Sequence, residues 1–344
     1  MTLKVNLCNG EVDIWDKYVH SNPNSTNYHQ IGWRDVIERS FSHKTYYFMA
    51  VNSEGLIKGV LPMAYIKSAM FGKFMVSIPF FNYGGLLCDD DEAEVILLKE
   101  AQKTLNELGA AHLELRHFKN YDLGLSTQQH KVTMIIDLKD DVDSQWKAFN
   151  AKLRNQIRKA VKSRLKIKIG HLELFEDFYS VFSRNMRDLG TPVYSKEFFK
   201  NILNNFTHTT KVFSVTFQNK VIASGIATWY RDVFEVPWAS SIRDYNSLCP
   251  NNLLYWEAIK FAIVNGFKKF DFGRCTPGES TYRFKKQWGS KPVQLYWQYS
   301  MKNGSPLPRI NTENPKYQLA IRLWKKFPVS FTQIVGPRIV KNIP

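Results

Sequence analysis

The chain reads NNLLYWEAIKFAIVNGFKKFDFGR from residue 251 to residue 274. Apolar residues recur at helical spacing over Asn252–Asn265, Gly266 follows where a helix C-cap is expected, and Lys269–Gly273 alternates like a strand. The first half of the chain repeats this order, with a helical pattern over Asp91–Leu108, a glycine and the strand Ala111–Arg116. The repetition indicates an internal duplication.

A hairpin of apolar strands precedes the helix in each half. Its strands are Tyr46–Val51 and Leu56–Ile66 in the first half, and Val212–Phe217 and Val221–Trp229 in the second. We therefore predict two α/β units with mixed sheets, joined near residue 145 after the strand Val132–Leu138. The alternative is one large α/β domain whose hairpins resemble each other by chance.

The composition is that of a globular chain with excess positive charge. The 344 residues are 44% hydrophobic and 14% aromatic, which excludes a disordered or low-complexity protein. Lysine and arginine number 47 against 31 acidic residues, and the net charge of +16 favours anionic partners such as phosphates, nucleic acid or an inner membrane surface. No segment approaches the roughly 20 apolar residues of a spanning helix, so a cytoplasmic location is expected.

Motifs of several common enzyme classes are missing from the sequence. The four cysteines are widely spaced without a CxxC pair, and no histidines have ligand spacing on a helix, so we predict no metal site. A GxSxG, a Walker loop, an HExxH and a GxGxxG after a strand are also absent. Hydrolase, kinase, metalloenzyme and dinucleotide-binding functions lose support. DNA is not expected as a partner, since no DNA-reading motif accompanies the charge.

The densest positive charge lies between residues 147 and 168, which include nine basic residues and no acidic one. One helical stripe there is cationic and another is apolar, the latter formed by Leu153, Ile157, Ala160 and Val161. Like charges at four-residue spacing destabilise a helix. The segment is therefore either a solvated face or the binding surface of an anionic partner.

Asp271 is the candidate for acid–base chemistry. It lies at the end of a predicted central strand, where ligands gather in open α/β sheets. It would serve as a general base or a substrate anchor. The structural alternative is an ion pair with Arg274, three residues on.

A short helix is predicted within Gly278–Gly289, beginning at Ser280 or Thr281. Backbone N–H groups at its start, with Lys285 or Lys286 one turn on, favour a phosphate, and Tyr282 shares their face. An ordinary surface helix is the alternative interpretation.

Two loops are further candidates for ligand binding. Arg243–Asn252 follows an apolar strand and would present backbone amides to a pyrophosphate, but it lacks the glycines of a typical acyl-coenzyme-A turn. Pro79–Gly85 contains paired glycines that permit close approach of a ligand to the backbone, with an ordinary tight turn as the alternative.

Together these segments resemble the Fem-type (FemA/FemB/FemX) peptidyltransferases and their BioF-like GNAT acyltransferase relatives. The resemblance extends over residues 1–305, and it rests on Phe80–Gly85, Leu153–Ala160, Asp271–Arg274 and Gly278–Gly289. Asn185–Pro192, Pro250–Trp256 and Phe284–Gly289 are more similar to the FemAB-like proteins associated with exosortase (PEP-CTERM) and exopolysaccharide gene clusters.

The resemblance implies two tandem GNAT-like (acyl-CoA N-acyltransferase) domains, residues 1–145 and 146–305, followed by a basic amphipathic tail over 306–344. It implies direct attack by an amine of a cell-envelope or exopolysaccharide precursor on an activated acyl or aminoacyl group. The donor would be acyl-CoA or aminoacyl-tRNA, with no tightly bound cofactor. The acceptor would be a phosphate-bearing sugar or a lipid-linked molecule.

Site residues follow from the same resemblance. The lysine of the family's Phe-Lys motif meets acceptor phosphates, which carries over to Lys285, with Lys286 as an adjacent substitute. Tyr83 occupies the acceptor-binding loop of the first domain, although Tyr83-Gly84-Gly85 stands where the family has Arg-Gly-Pro. The remaining substrate-binding candidates are Arg243, Arg274 and Tyr282.

The C-terminal tail has apolar residues interspersed with Arg322, Lys325 and Lys326. This pattern fits either packing against the second domain or peripheral contact with the anionic inner face of the cell membrane. The alternative function for the whole chain is a non-catalytic glycan- or RNA-binding module on a degenerate GNAT-like fold. The missing glycines after Arg243 motivate that alternative.

Overall fold

The computed structural model describes residues 3–69, 71–302, 307 and 315–343. The first part of the chain forms β1 (Lys4–Leu7), α1 (Val12–Ser21), α2 (Gly32–Phe41), β2 (Lys44–Val51), β3 (Ile57–Ser68), β4 (Gly72–Val76), β5 (Leu87–Cys88), α3 (Asp91–Glu107), β6 (His112–His117) and β7 (Ser126–Gln128). The rest forms β8 (Val132–Asp137), α4 (Val142–Ala148), α5 (Ala151–Lys162), β9 (Lys166–Gly170), α6 (Phe175–Leu189), α7 (Lys196–Asn205), β10 (Thr210–Phe217), β11 (Lys220–Tyr230), β12 (Val233–Ser241), α8 (Pro250–Val264), β13 (Lys269–Cys275), α9 (Ser280–Lys286), β14 (Lys291–Gln294), β15 (Tyr296–Met301), α10 (Pro315–Trp324) and α11 (Val329–Val340).

The chain divides into two compact units whose boundaries interleave along the sequence. Unit 1 contains residues 1–130, 294–310 and 341–344, and unit 2 contains residues 131–293 and 311–340. The predicted limits at residues 145 and 305 differ from these. β8 precedes the predicted join yet pairs with β13 in unit 2, and β15 precedes residue 305 yet pairs with β6 and β7 in unit 1. A strand belongs to the sheet that completes its backbone hydrogen bonds, whatever its place in the sequence.

Unit 1 is built on a mixed sheet in the order β1-β2-β3-β4-β6-β15-β7, with β5 paired to β3. The predicted hairpin is present as β2 and β3, and the predicted helix and strand are present as α3 and β6. Gly109, between α3 and β6, has a φ of +60°, the left-handed conformation expected of a C-cap glycine. Leu97 and Leu105 of α3 pack into the apolar core of this sheet.

Unit 2 repeats the arrangement with a sheet in the order β14-β8-β13-β12-β11-β10-β9. The second predicted hairpin is β10 and β11, and the helix and strand quoted at the outset are α8 and β13. Gly266 also has a positive φ, +81°. Aromatic residues of the strands, helix and following segment share one core, including Phe234, Trp256, Phe270 and Trp288. The duplication predicted from the sequence is thus present in the backbone.

The predicted C-terminal tail begins partly outside the described residues, which exclude 303–306 and 308–314. Its second helix, α11, packs against α6 of unit 2. Gln333 Nε2 donates a hydrogen bond to Ser183 Oγ at 2.8 Å, and a β-carbon on Gly336 would lie 2.9 Å from the backbone nitrogen of Val193. The helix therefore has a packed side. In the described part of the chain, no helix is long and apolar enough to cross a membrane.

Candidate functional site

The parallel strands β12 and β13 of unit 2 separate soon after they begin. Val233–Glu235 pairs with Lys269–Asp271, and the shared ladder ends there although both strands continue for several residues. Beyond Glu235 and Asp271, the backbone N–H and C=O groups on the facing edges of β12 and β13 do not pair with each other. An extended ligand placed there would meet them as a neighbouring strand does.

Two irregularities accompany the separation. The register of β12 against β11 shifts between Ile226 and Thr228, and the register of β13 against β8 shifts between Asp271 and Arg274. Gly273, inside the second irregularity, has a φ of +77°. Bulges of this kind bend a strand and re-aim its side chains. The sequence signal for this feature was the glycine of Asp-Phe-Gly-Arg.

Buried polar side chains lie in a row at the point of separation. Thr228, Glu235 and Asp271 are direct partners on β11, β12 and β13, so their side chains share one face of the sheet. Thr133 of β8 extends the row by donating a hydrogen bond from its hydroxyl to Asp271 Oδ1. All four side chains are buried. Because it includes two buried carboxylates, this row is a candidate for chemistry.

Lys285 of α9 supplies the positive charge of this cluster. Its side chain is only 9% exposed, and Nζ donates hydrogen bonds to the carbonyl oxygens of Gly273 at 2.8 Å and Arg274 at 2.9 Å. Burial lowers the pKa of the Lys285 ammonium, and the nearby Cys275, Asp271 and Glu235 oppose that shift. The ammonium is thus bound to the end of β13, which differs from the predicted contact with an acceptor phosphate.

Asp271 is fully buried and serves first as an acceptor for the backbone. Besides the Thr133 hydroxyl, the N–H of Gly273 donates to Oδ1 at 2.7 Å. These bonds hold the irregular end of β13 in place. Two donors already occupy the oxygen Oδ1 of the residue predicted to be catalytic.

Glu235 is the residue that sequence analysis missed. It is 3% exposed and lies directly opposite Asp271, at the last position where β12 pairs with β13. The sequence does mark this residue, because Glu235 is the only acidic residue within the apolar strand that precedes Arg243. A buried carboxylate there requires a compensating charge, and Lys285 is a source of it.

The loop after β12 forms a turn of 3₁₀ helix over Arg243–Leu248 and leads into α8. Arg243 is exposed at its start. Cys249 has a φ of +59°. A residue other than glycine thus adopts the left-handed conformation in this loop, which lacks the glycines of a typical acyl-coenzyme-A turn. Asn252 in the first turn of α8 donates from Nδ2 to Gln156 Oε1 of the basic helix α5 at 3.3 Å.

The basic helix α5 has the predicted apolar stripe only in part. Leu153, Ile157 and Ala160 are buried, but Val161 is 57% exposed because it lies beyond the stripe that faces α8. Arg158 is exposed and its guanidinium lies 5.4 Å from the ring centre of Trp146. The hydrogen bond between Gln156 and Asn252 brings the middle of this helix to the start of α8.

The other predicted residues of unit 2 lie near the end of β13 and along α9. Lys286 is exposed, with Nζ 5.9 Å from the ring centre of Tyr282, and Tyr282 packs partly into the core. Arg274 is partly buried and its carbonyl accepts from Lys285. The structure therefore gathers Asp271, Arg274 and Lys285 around one strand end.

Tyr83 belongs to unit 1, whereas the six other predicted residues belong to unit 2. It is 5% exposed, and its ring meets Tyr28 and Phe118 edge to face at 5.4 and 5.1 Å. The loop around it is held from within, since Arg116 donates from Nη1 to the carbonyl of Phe81 at 3.0 Å. The Tyr83 side chain is thus part of an aromatic cluster.

Residues 147–286 match the family model described as an acetyltransferase (GNAT) domain. No curated protein sequence matches the chain. Among solved structures the chain is similar to FemX, with 14% identity, a TM-score of 0.64 and coverage of 92% of this chain and 100% of that one.

Two further structures show a comparable likeness. One is the C-terminal domain of a protein named as a lysylphosphatidylglycerol synthetase from Agrobacterium fabrum, with 13% identity, a TM-score of 0.56 and coverage of 84% and 91%. The other is a tandem GNAT protein from the clavulanic acid biosynthesis pathway, with 8% identity, a TM-score of 0.56 and coverage of 89% and 100%. At these identities the likeness concerns the fold, and the predicted mixed α/β class in two tandem domains is confirmed.

Proposed function

We propose that the chain, whose residues 147–286 match the family model of an acetyltransferase (GNAT) domain, transfers an acyl or aminoacyl group to an amine of a cell-envelope or exopolysaccharide precursor. The separation of β12 from β13 beside a buried carboxylate and a buried lysine carries this proposal. It offers three things that acyl transfer needs: a track for an extended donor, N–H groups for an oxyanion, and a proton acceptor.

The donor lies between the separating strands in this proposal. An extended thioester arm, or the 3′ end of an aminoacyl-tRNA, would hydrogen-bond to backbone groups of β12 as an added strand does. The exposed Arg243 and the start of α8 would meet its phosphates, because a helix N-terminus favours anions. The cationic face of α5, joined to α8 through Gln156 and Asn252, adds positive charge beside them.

The chemical step is direct aminolysis. The amine nitrogen forms a bond to the donor carbonyl carbon, the oxygen becomes an oxyanion facing the N–H groups of β12, and the amine loses a proton. The tetrahedral intermediate then breaks its C–S or C–O bond, and the released proton goes to the leaving thiol or hydroxyl. No acyl-enzyme is needed.

We assign proton acceptance to Glu235. Asp271, the residue that sequence analysis proposed, holds Gly273 and Thr133 through Oδ1 and is better suited to positioning the strand end. Lys285 would stabilise the negative charge of the pair, since both carboxylates favour its charged form. The exposed Lys286, with Tyr282 and Arg274, remains our candidate for the phosphate of the acceptor. The loop of Tyr83 stays a separate acceptor-binding candidate, within unit 1.

The donor class is the first test of this function. Full-length protein is incubated with an envelope extract and either radiolabelled acetyl-CoA or a mixture of charged tRNAs, with and without ribonuclease. Transfer of label that ribonuclease abolishes identifies a tRNA donor, and transfer from acetyl-CoA that resists ribonuclease identifies coenzyme A.

Absence of transfer from both donors, together with retained binding of the extract's glycans or of RNA, would contradict the enzyme and favour the non-catalytic module. The name of the Agrobacterium fabrum protein, which specifies a phospholipid that carries a lysyl group, supports including lipid acceptors in the extract. The same experiment tests an exopolysaccharide precursor as the acceptor, because such a precursor in the extract would become labelled.

We also propose that the tail binds an anionic membrane surface, which would bring the enzyme to a lipid-linked acceptor. Large apolar side chains remain exposed on α10, on α11 and between them, although α11 packs against α6: Leu319, Leu323, Phe327, Phe331 and Ile334. Residues 315–344 include no acidic residue, and the exposed Arg322, Lys325 and Lys326 lie among these side chains. Exposed apolar groups beside cations favour the interface of an anionic bilayer.

The double substitution Phe331→Ser and Ile334→Ser is expected to weaken binding to phosphatidylglycerol vesicles by at least about tenfold, because two partly exposed apolar side chains no longer enter the interface. Sedimentation with vesicles measures the effect. Val264→Ser, at a side chain that is 77% exposed on α8, is the matched control and should bind as the wild type does. Equal binding by all three proteins, or equal binding to neutral phosphatidylcholine, would remove this role.

A further inference from the structure

Unit 1 contains a cavity of about 450 Å³ where α2 ends and β2 begins. Its lining residues all belong to unit 1, and the proposed acyl transfer makes no use of them. Its size is in the range of small-molecule sites. The side chains that give it a chemical character are His43, Lys44, Tyr46, Tyr65, Lys67 and Lys341.

The strand register places most of these side chains together. Lys44 of β2 lies directly opposite Tyr65 of β3, so the two share a face of the sheet. Tyr46 and Lys67 lie two residues along their strands and therefore point the same way. Lys44 Nζ is 4.9 Å from the ring centre of Tyr46, and Lys67 Nζ is 5.6 Å from that of Tyr65.

Buried groups fix the shape of the cavity. His43 donates from Nε2 to the carbonyl of Lys341 at 2.8 Å, and the Tyr65 hydroxyl donates to the carbonyl of Leu108 at 3.3 Å. The rings of Phe41 and His43 stack at 5.8 Å. The walls are thus aromatic and already ordered, which reduces the entropic cost of binding a ligand.

The charge of the cavity has one sign. Its described lining includes three exposed lysines, Lys44, Lys67 and Lys341, and no acidic side chain. Burial lowers the pKa of His43, so the imidazole adds no charge at neutral pH. Three ammonium groups around one space repel each other. An anion with two negative charges would offset this repulsion.

We propose that this cavity binds an organic phosphate. Its phosphate would lie among the ammonium groups of Lys44, Lys67 and Lys341, and its flat or apolar part would lie against Tyr46 and Tyr65. The donor chemistry suits a phosphate because each ammonium offers several N–H groups to its oxygens. A soluble phosphoester and the headgroup of a phospholipid both have this chemistry.

Titration calorimetry of the full chain tests the proposal with three probes: phenyl phosphate, inorganic phosphate, and monomeric dihexanoyl phosphatidic acid. We expect at least one organic phosphate to bind more tightly than inorganic phosphate. The double substitution Lys44→Ala and Lys67→Ala should raise its dissociation constant at least about tenfold, since two charge-assisted contacts are removed. The more tightly bound organic probe identifies the soluble or the lipid source.

The matched control is Lys4→Ala. Lys4 is an exposed lysine of the same sheet and pairs with Val51, at the opposite end of β2 from Lys44. It removes charge without touching the cavity and should leave the dissociation constant unchanged. The proposal is overturned if neither organic phosphate binds, if inorganic phosphate binds as tightly as both, or if Lys4→Ala weakens binding as much as the double substitution.

Discussion

Replacing Lys285 by methionine is expected to lower the free energy of unfolding by about 3–5 kcal/mol, because removing one partner of a buried charge cluster leaves the others uncompensated. The change deletes the two hydrogen bonds to the carbonyls of Gly273 and Arg274. It also leaves the carboxylates of Asp271 and Glu235 buried without the ammonium that they interact with. Urea denaturation of the full chain measures the loss.

Lys286→Met is the matched control for this experiment. Lys286 is the next residue of the same helix, it is exposed, and the same substitution there should change stability by less than about 0.5 kcal/mol. Equal stability of the two variants would contradict the role of Lys285 in the buried charge cluster.

Glu235→Gln is expected to lower kcat for acyl transfer by about 10²–10⁴-fold with little change in KM, because an amide of the same shape cannot accept the proton of the attacking amine. Gln has the same shape as Glu and fits the same buried position, where the pairing of β12 with β13 ends. Steady-state transfer of labelled acyl groups, with the donor that supports turnover, measures the effect. Thermal unfolding of the variant confirms that it is folded.

Two further variants make this result specific. Glu257→Gln makes the same change at the partly exposed partner of Lys260 on α8, and it should leave kcat unchanged. Asp271→Asn should lower kcat less than Glu235→Gln, since the amide oxygen can still accept from Gly273 and Thr133. A larger loss with Asp271→Asn, at normal stability, would return the role of base to Asp271.

The helices and hairpins were predictable from the sequence because helix-ending glycines and strand alternation are properties of short segments. The glycines at positions 109 and 266 mark helix ends through a backbone conformation that few other residues adopt, and both have it. The hairpins were predicted from alternation, which reflects which side chains face a core. The unit boundaries were not predictable in this way, since the pairing of β8 with β13 depends on contacts far apart in sequence.

The candidate site was predictable only in part for a related reason. Asp271 and Lys285 were identified from short motifs as ligand-binding candidates. Both side chains are buried, and both form hydrogen bonds with the backbone of Gly273. Glu235 was missed because its importance arises from the residue across the strand. Cys249 shows the opposite case, in which a missing glycine suggested a lost turn and another residue adopts the required conformation.

The position of β15 has a consequence for how the protein is made. This strand lies between β6 and β7 in the sheet of unit 1, yet it is translated after residues 129–295. At ribosomal rates that interval lasts about 10–30 s. During it β6 has an unpaired edge, a template for non-native pairing with another nascent chain. Unit 1 thus reaches its complete sheet only after most of unit 2 has been synthesised, and a chain truncated before residue 296 would keep that edge open.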